Sequence, residues 1–86
     1  MPKTSYVKNI LSEVIEETSD TAKTENFSIT RDGEIATIKS YSTEIAHCDL
    51  QNKILVMLPG EWTKTTSRQQ KAVREYFAKI GWKIRN

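Results

Sequence analysis

Asn26-Phe27-Ser28-Ile29-Thr30-Arg31-Asp32-Gly33-Glu34-Ile35-Ala36-Thr37-Ile38 is the stretch of this chain on which the fold turns. Phe27, Ile29 and Arg31 alternate with Ser28 and Thr30, the period of two that belongs to a strand with one buried face. Asp32-Gly33 then interrupts the run, and that pair suits the positive φ values of a two-residue type I′ turn. Apolar side chains resume at Ile35, Ala36 and Ile38. The stretch therefore predicts a hairpin with strands near 27–31 and 34–39.

Toward the N-terminus the period changes. Tyr6, Val7, Ile10, Leu11, Val14 and Ile15 recur at three-four spacing, which predicts an amphipathic helix from about Ser5 to Glu17. Thr4 or Ser5 supplies a hydroxyl to cap it. Residues 18–25 are polar and aperiodic and read as a loop. Toward the C-terminus, Thr43–Cys48 predicts a third strand and Lys53–Leu58 a fourth, joined by the turn residues Asp49–Asn52. The unbroken run Ile54-Leu55-Val56-Met57-Leu58 suits a strand with little exposure on either face. A hydroxyl among Thr65, Thr66 and Ser67 is expected to cap a second helix reaching about Ile80, with Ala72, Val73, Tyr76, Phe77 and Ile80 as its apolar stripe. Gly81 suits the left-handed residue that closes such a helix. Trp82 and Ile84 flank Lys83, and either pack back on the helix or form a short closing strand. The order α-β-β-β-β-α with short connections predicts an α+β fold: an antiparallel three- to four-stranded sheet with two helices packed on one face.

The chain is 86 residues long, which suits a single domain spanning 1–86. Seven aromatics are enough to anchor its small core. It contains no apolar run of about 18 residues, so no membrane span is expected. Met1-Pro2-Lys3-Thr4-Ser5 lacks the apolar stretch of a signal peptide, and the single Cys48 excludes an internal disulfide, so a cytoplasmic setting is expected. One His and one Cys are too few for an internal zinc site. The three glycines sit at turn and cap positions and form no phosphate-binding loop. No cofactor and no metal are expected.

His47-Cys48-Asp49 is the one cluster with catalytic residue types. On a strand, His47 and Asp49 point to one face and Cys48 to the other, so a Cys–His pair is out of reach. Cys48 reads as a small core residue, and no catalytic residue is assigned.

Charge is the least ordinary feature. Residues 64–86 carry seven basic side chains, Lys64, Arg68, Lys71, Arg74, Lys79, Lys83 and Arg85, against the one acid Glu75, a net +6 within a chain of net +2. Residues 1–43 sum to −2. A basic segment on a weakly acidic body is the electrostatic footprint of a protein that meets a polyanion. The start of the second helix adds hydroxyls, backbone amides and the positive dipole end, which together suit phosphate. A solvated helix face explains the same charges without a ligand. The strands offer only Phe27 and Tyr41 as aromatics, few for a base-stacking sheet. Tyr41, between strands, is the aromatic most expected to be exposed.

Two resemblances follow from particular residues. Tyr41-Ser42-Thr43-Glu44-Ile45-Ala46, followed by Trp62-Thr63-Lys64-Thr65-Thr66-Ser67-Arg68-Gln69, resembles a family of small phage and mobile-element proteins. In these a Tyr-x-Thr-x-Ile-Ala strand precedes an aromatic-Ser/Thr-x-Thr-Thr/Ser helix start. The resemblance covers about the C-terminal half and implies an accessory protein of a virus or plasmid, with no activity to carry over. The element order and the helix start Ser67-Arg68-Gln69-Gln70-Lys71-Ala72 are also similar to double-stranded RNA-binding domains. The chain departs from these in lacking paired glycines before Thr65 and in carrying Gln where a second Lys is expected.

The expectation drawn from all of this is a small accessory protein without catalysis. It binds nucleic acid through Lys64, Arg68, Lys71, Arg74, Lys79, Lys83 and Arg85. The alternative is a protein-interaction module that inhibits or adapts a host protein through the open sheet face or an edge strand, around Tyr41, Ile45 and His47. The same edge could pair two copies as a homodimer.

Overall fold

The computed structural model describes residues 5–85. Thr4, one of the two residues expected to cap the first helix, and the rest of Met1–Thr4 lie outside the described residues. The elements run α1 (Ser5–Ile15), β1 (Thr21–Lys23), β2 (Phe27–Asp32), β3 (Ile35–Ser40), β4 (Thr43–Asp49), β5 (Ile54–Met57), α2 (Lys64–Lys79) and β6 (Lys83–Arg85). The class is α+β, as predicted, but the sheet has six strands in the order β1-β2-β3-β4-β5-β6.

The hairpin forms with its turn one residue later than expected. Asp32 pairs with Ile35, so Gly33 and Glu34 are the two turn residues. Gly33 has φ 65 and Glu34 is not left-handed, the pattern of a type II′ turn, with glycine at its first central position. The slip changes cross-strand partners but not faces. Phe27, Ile29, Ala36 and Ile38 all turn inward and are buried, because moving the turn by one residue shifts the register by two.

The two extra strands have different causes. β1 carries one buried apolar residue, Ala22, in three, too little for a period to show. It pairs with β2 through Thr21↔Thr30 and Lys23↔Ser28. β6 pairs with β5 in parallel, with Leu55 opposite Ile84. A parallel partner needs a crossover, and α2 supplies it. Gly81 stands in the left-handed region with φ 88. The amide of Trp82 donates to Phe77 O at 3.0 Å and that of Gly81 to Ala78 O at 3.2 Å, the two bonds of a Schellman stop. The Trp82 ring lies 4.7 Å from that of Phe77, so the same turn that ends the helix aims the chain back at the sheet.

Both helices cover one face. α1 lies over β1 and β2, and α2 over β4, β5 and β6. Val7, Leu11, Val14, Ile29, Ile38, Leu55, Val73 and Phe77 fill the space between the layers and are almost wholly buried. Each large side chain there contributes about 1.5–3 kcal/mol by leaving water. Ile80, expected on the apolar stripe of α2, is instead its exposed C-cap.

A bulge breaks the register between β3 and β4. Ile38 faces Ala46 but Lys39 faces Glu44, which leaves Ile45 as the extra residue. Consecutive residues on a regular strand point to opposite faces, yet Ile45 and Ala46 are both fully buried. Gln70 of α2 holds the bulge, its Nε2 donating to Ile45 O at 3.0 Å and to Leu58 O at 3.2 Å. Among the described residues no helix is long and apolar enough to cross a membrane.

Candidate nucleic-acid interface

The buried side of α2 is Thr66, Gln69, Ala72, Val73, Tyr76 and Phe77. On the opposite side Lys64, Arg68, Lys71, Glu75 and Lys79 follow one another at three-four spacing, and a pure four-step closes the row. All five are exposed. At 1.5 Å per residue the row is about 22 Å long. Glu75 is the one carboxylate in it. Arg74 is exposed beside this row and lines a cleft with Met57, Leu58, Pro59, Gly60, Trp62 and Gln70.

Lys83 and Arg85 stand elsewhere. They alternate with Ile84, which faces the helices beside Leu55, so both project from the uncovered face of the sheet. The seven basic residues expected to act together are therefore divided, five on α2 and two across the sheet from it. Sequence proximity put them in one segment, and the parallel crossover separates them.

Hydrogen bonds set the position of the basic row. The N-cap of α2 is Thr63, two residues before the first of the three hydroxyls expected to cap it; its Oγ1 accepts the Thr66 amide at 3.2 Å. Thr66 is turned inward instead. Thr63 Oγ1 donates to Thr66 Oγ1 at 3.2 Å, and Thr66 Oγ1 lies 2.8 Å from Ser40 Oγ. Thr66 and Ser40 are both buried, so this chain of hydroxyls ties the first turn of α2 to β3 inside the core. One turn later Gln69 Nε2 donates to Tyr6 OH at 2.9 Å and to Asn26 O at 3.3 Å. Its Oε1 is buried without a partner, a cost of about 1–3 kcal/mol. The first half of α2 is thus docked by polar contacts and the second half by the apolar packing of Val73, Tyr76 and Phe77.

Sequence reasoning missed Gln69 and Gln70. The signal was present: positions 66, 69, 72, 73, 76 and 77 make one stripe, whose first two members are polar. Tyr76 closes the far end by donating its hydroxyl to Oε2 of Glu16, the residue just past the end of α1. Burial, then that carboxylate, push the Tyr76 hydroxyl well above its usual range.

The residues of the alternative surface are also divided. His47 is half-buried on the uncovered face. Tyr41 is 61% exposed in the two-residue turn after β3, with φ 56. Ile45, expected on that surface, is wholly buried at the bulge and offers it nothing. Cys48 faces the helices, away from His47, and burial pushes its thiol up to about 12. A thiol held so far from ionising is no nucleophile. Asp49 lies below the usual carboxylate range because the side chain of Asn52 donates to Oδ2 at 2.8 Å and its amide to Oδ1 at 3.1 Å. Among the described residues no three of His, Cys, Asp and Glu gather where they could hold a metal ion.

The chain was compared with protein-family models, curated proteins and solved structures, and none of them matches.

Proposed function

We propose that the protein binds nucleic acid through the outer face of α2, as a small accessory protein of the kind carried by phages and mobile elements. The observation that carries this reading is the exposed row Lys64, Arg68, Lys71 and Lys79, interrupted only by Glu75. Cations spaced along about 22 Å of one helix suit a line of phosphates better than a compact anion. The helix start contributes its positive dipole end beside Lys64. Nothing in the row reads base edges in preference to phosphates, so binding is largely independent of sequence and weakens with salt. Lys83 and Arg85, on the other side of the sheet, take no part in this footprint.

The test is fluorescence anisotropy with labelled double-stranded RNA, double-stranded DNA and single-stranded DNA at two or more salt concentrations. Three to four phosphate contacts on double-stranded DNA give a log–log salt slope of about −3 to −4. Reversing Arg68, Lys71 and Lys79 to Glu is expected to abolish binding. Reversing Lys83 and Arg85 is expected to leave most of it. No binding at low salt, or equal losses from the two reversals, overturns the reading.

A further inference from the structure

Beside the basic row, α2 borders a cleft of about 230 Å³. Met57, Leu58, Pro59 and Trp62 line it from the β5 side, Gln70 and Arg74 from the helix. Pockets for drug-sized ligands run to about 300–1,000 Å³, so this one suits a single small, flat group. Trp62 is half-buried, and its exposed neighbour Glu61 does not line the cleft. Gly60 sets the indole in place. A Cβ there would lie 2.6 Å from Cζ2, 2.8 Å from Cη2 and 3.0 Å from Cε2 of Trp62. Such nearly equal distances put Gly60 over the face of the six-membered ring, since an edge-on approach would leave two of the three atoms much farther away. Gly60 does not have a positive φ, so glycine stands there for the room it gives the ring. The backbone thus holds the indole in position before any ligand arrives.

Arg74 joins the cleft to the row. It stands three residues from Lys71 and four from Gln70, so on the helix surface it neighbours both, with Cβ atoms about 5–6 Å apart. Gln70 has no donor left for a ligand: its two amide hydrogens go to Ile45 O and Leu58 O. The cleft therefore offers an aromatic ring, aliphatic walls and a cationic rim, and no amide donor to read the edge of a base.

We infer that the cleft takes one unpaired base, stacked against Trp62, from a strand whose phosphates follow the row on α2, so that the ligand is single-stranded nucleic acid. The inference rests on the nucleic-acid reading of that row and adds the type of strand. Complementarity of charge and shape argues for this occupant. A nucleotide carries a flat aromatic group a short way from an anion, and here an aromatic ring stands a short way from a line of cations. Base–aromatic stacking tolerates any sequence because every base has a π-face, which matches a cleft without a free amide donor. A duplex keeps its bases stacked on one another, and presenting one means unpairing and unstacking it. Duplex DNA or RNA then meets the row alone and leaves the cleft empty.

The test compares three labelled probes by anisotropy at low salt: an oligothymidylate of about 12 nucleotides, an abasic oligomer with the same number of phosphates, and a DNA duplex. The native chain is expected to bind the oligothymidylate about 10-fold or more tighter than its abasic counterpart. Trp62→Leu keeps an apolar side chain but removes the ring. It is expected to abolish that difference while leaving the abasic and duplex affinities unchanged, and Trp62→Phe to keep most of it. Thermal melts confirm that each variant folds. Trp82→Phe leaves Trp62 as the one tryptophan of the chain, and its fluorescence is expected to be quenched by the oligothymidylate and not by the abasic oligomer. Equal binding of these two probes by the native chain overturns the inference and leaves the phosphate-binding row standing. Equal weakening of all three probes by Trp62→Leu also overturns it, because the residue would then act through the fold. If no probe binds, the row and the cleft fall together.

Discussion

Ile35 and Ile38 stand three residues apart on one strand and belong to two different surfaces. Ile38 has no exposed area, while Ile35 keeps nearly half of its own. The same contrast runs along β4, where Cys48 faces the helices and its neighbours His47 and Asp49 face outward. Burial raises the Cys48 thiol; hydrogen bonds from Asn52 lower the Asp49 carboxyl next to it. Strand parity alone makes the difference, since side chains one residue apart sample opposite solvents. The covered face holds the fold together. The uncovered face carries side chains the fold does not require, and its residues are available for recognition.

The contrast can be broken first at Ile38. Ile38→Ala empties a packed site and is expected to cost about 2–5 kcal/mol in chemical denaturation. A loss under about 1 kcal/mol would mean that the covered face is not the core. Alkaline pH probes the same face through Cys48. Its thiol ionises near 9 when unfolded and near 12 when folded, so the unfolded chain releases its proton first as pH rises. Stability from this residue is fully present below about pH 9 and is lost toward pH 12, by about 2 kcal/mol at pH 10.5. Cys48→Ala should flatten that part of the curve relative to the native chain, whatever its effect at neutral pH.

A smaller effect is expected where the covered face is polar. Thr66→Val leaves the buried Ser40 hydroxyl without its partner and should cost about 1–3 kcal/mol. Adding Ser40→Ala should cost less than the two changes summed, because the second change removes the orphaned group. Strict additivity would deny the link between β3 and the first turn of α2. The smallest effect belongs to Ile35→Ala, which should change monomer stability by no more than about 0.5 kcal/mol. A large loss in dilute solution would erase the distinction between the two faces.

How far the sequence carried the fold depended on how many residues shared a period. The β2–β3 hairpin and both helices were legible because Phe27 to Ile38, Val7 to Val14 and Ala72 to Phe77 repeat at one spacing each. The strand β1 was not, since three residues with one inward apolar side chain carry almost no periodic signal, and for the same reason β6 was legible only as one of two readings of Trp82, Lys83 and Ile84. The direction of β6 was hidden too: only the Schellman turn at Gly81 sends Trp82 back along β5. In the candidate site, the row on α2 was readable from helical spacing. The separation of Lys83 and Arg85 from it was not, because it follows from a crossover. Ile45 was misplaced for a related reason. A bulge shifts parity by one, and the glutamine that stabilises this bulge lies 25 residues away.

The parallel pairing of β6 also sets the order in which the sheet can be completed as the chain is made. Strands β1 to β5 each pair with the strand just before or after them, so every hairpin closes as soon as its second strand emerges, at low loop-closure cost. The outer edge of β5 is different. Its partner follows only after α2 and Gly81, and until then Ile54-Leu55-Val56-Met57-Leu58 presents unpaired backbone on an apolar strand. Such an edge is a template for pairing with another chain. Translation that stalls within α2 would therefore leave a nearly finished sheet at its stickiest, and the step that ends this hazard is the docking of α2 with its two glutamines and the strand behind it.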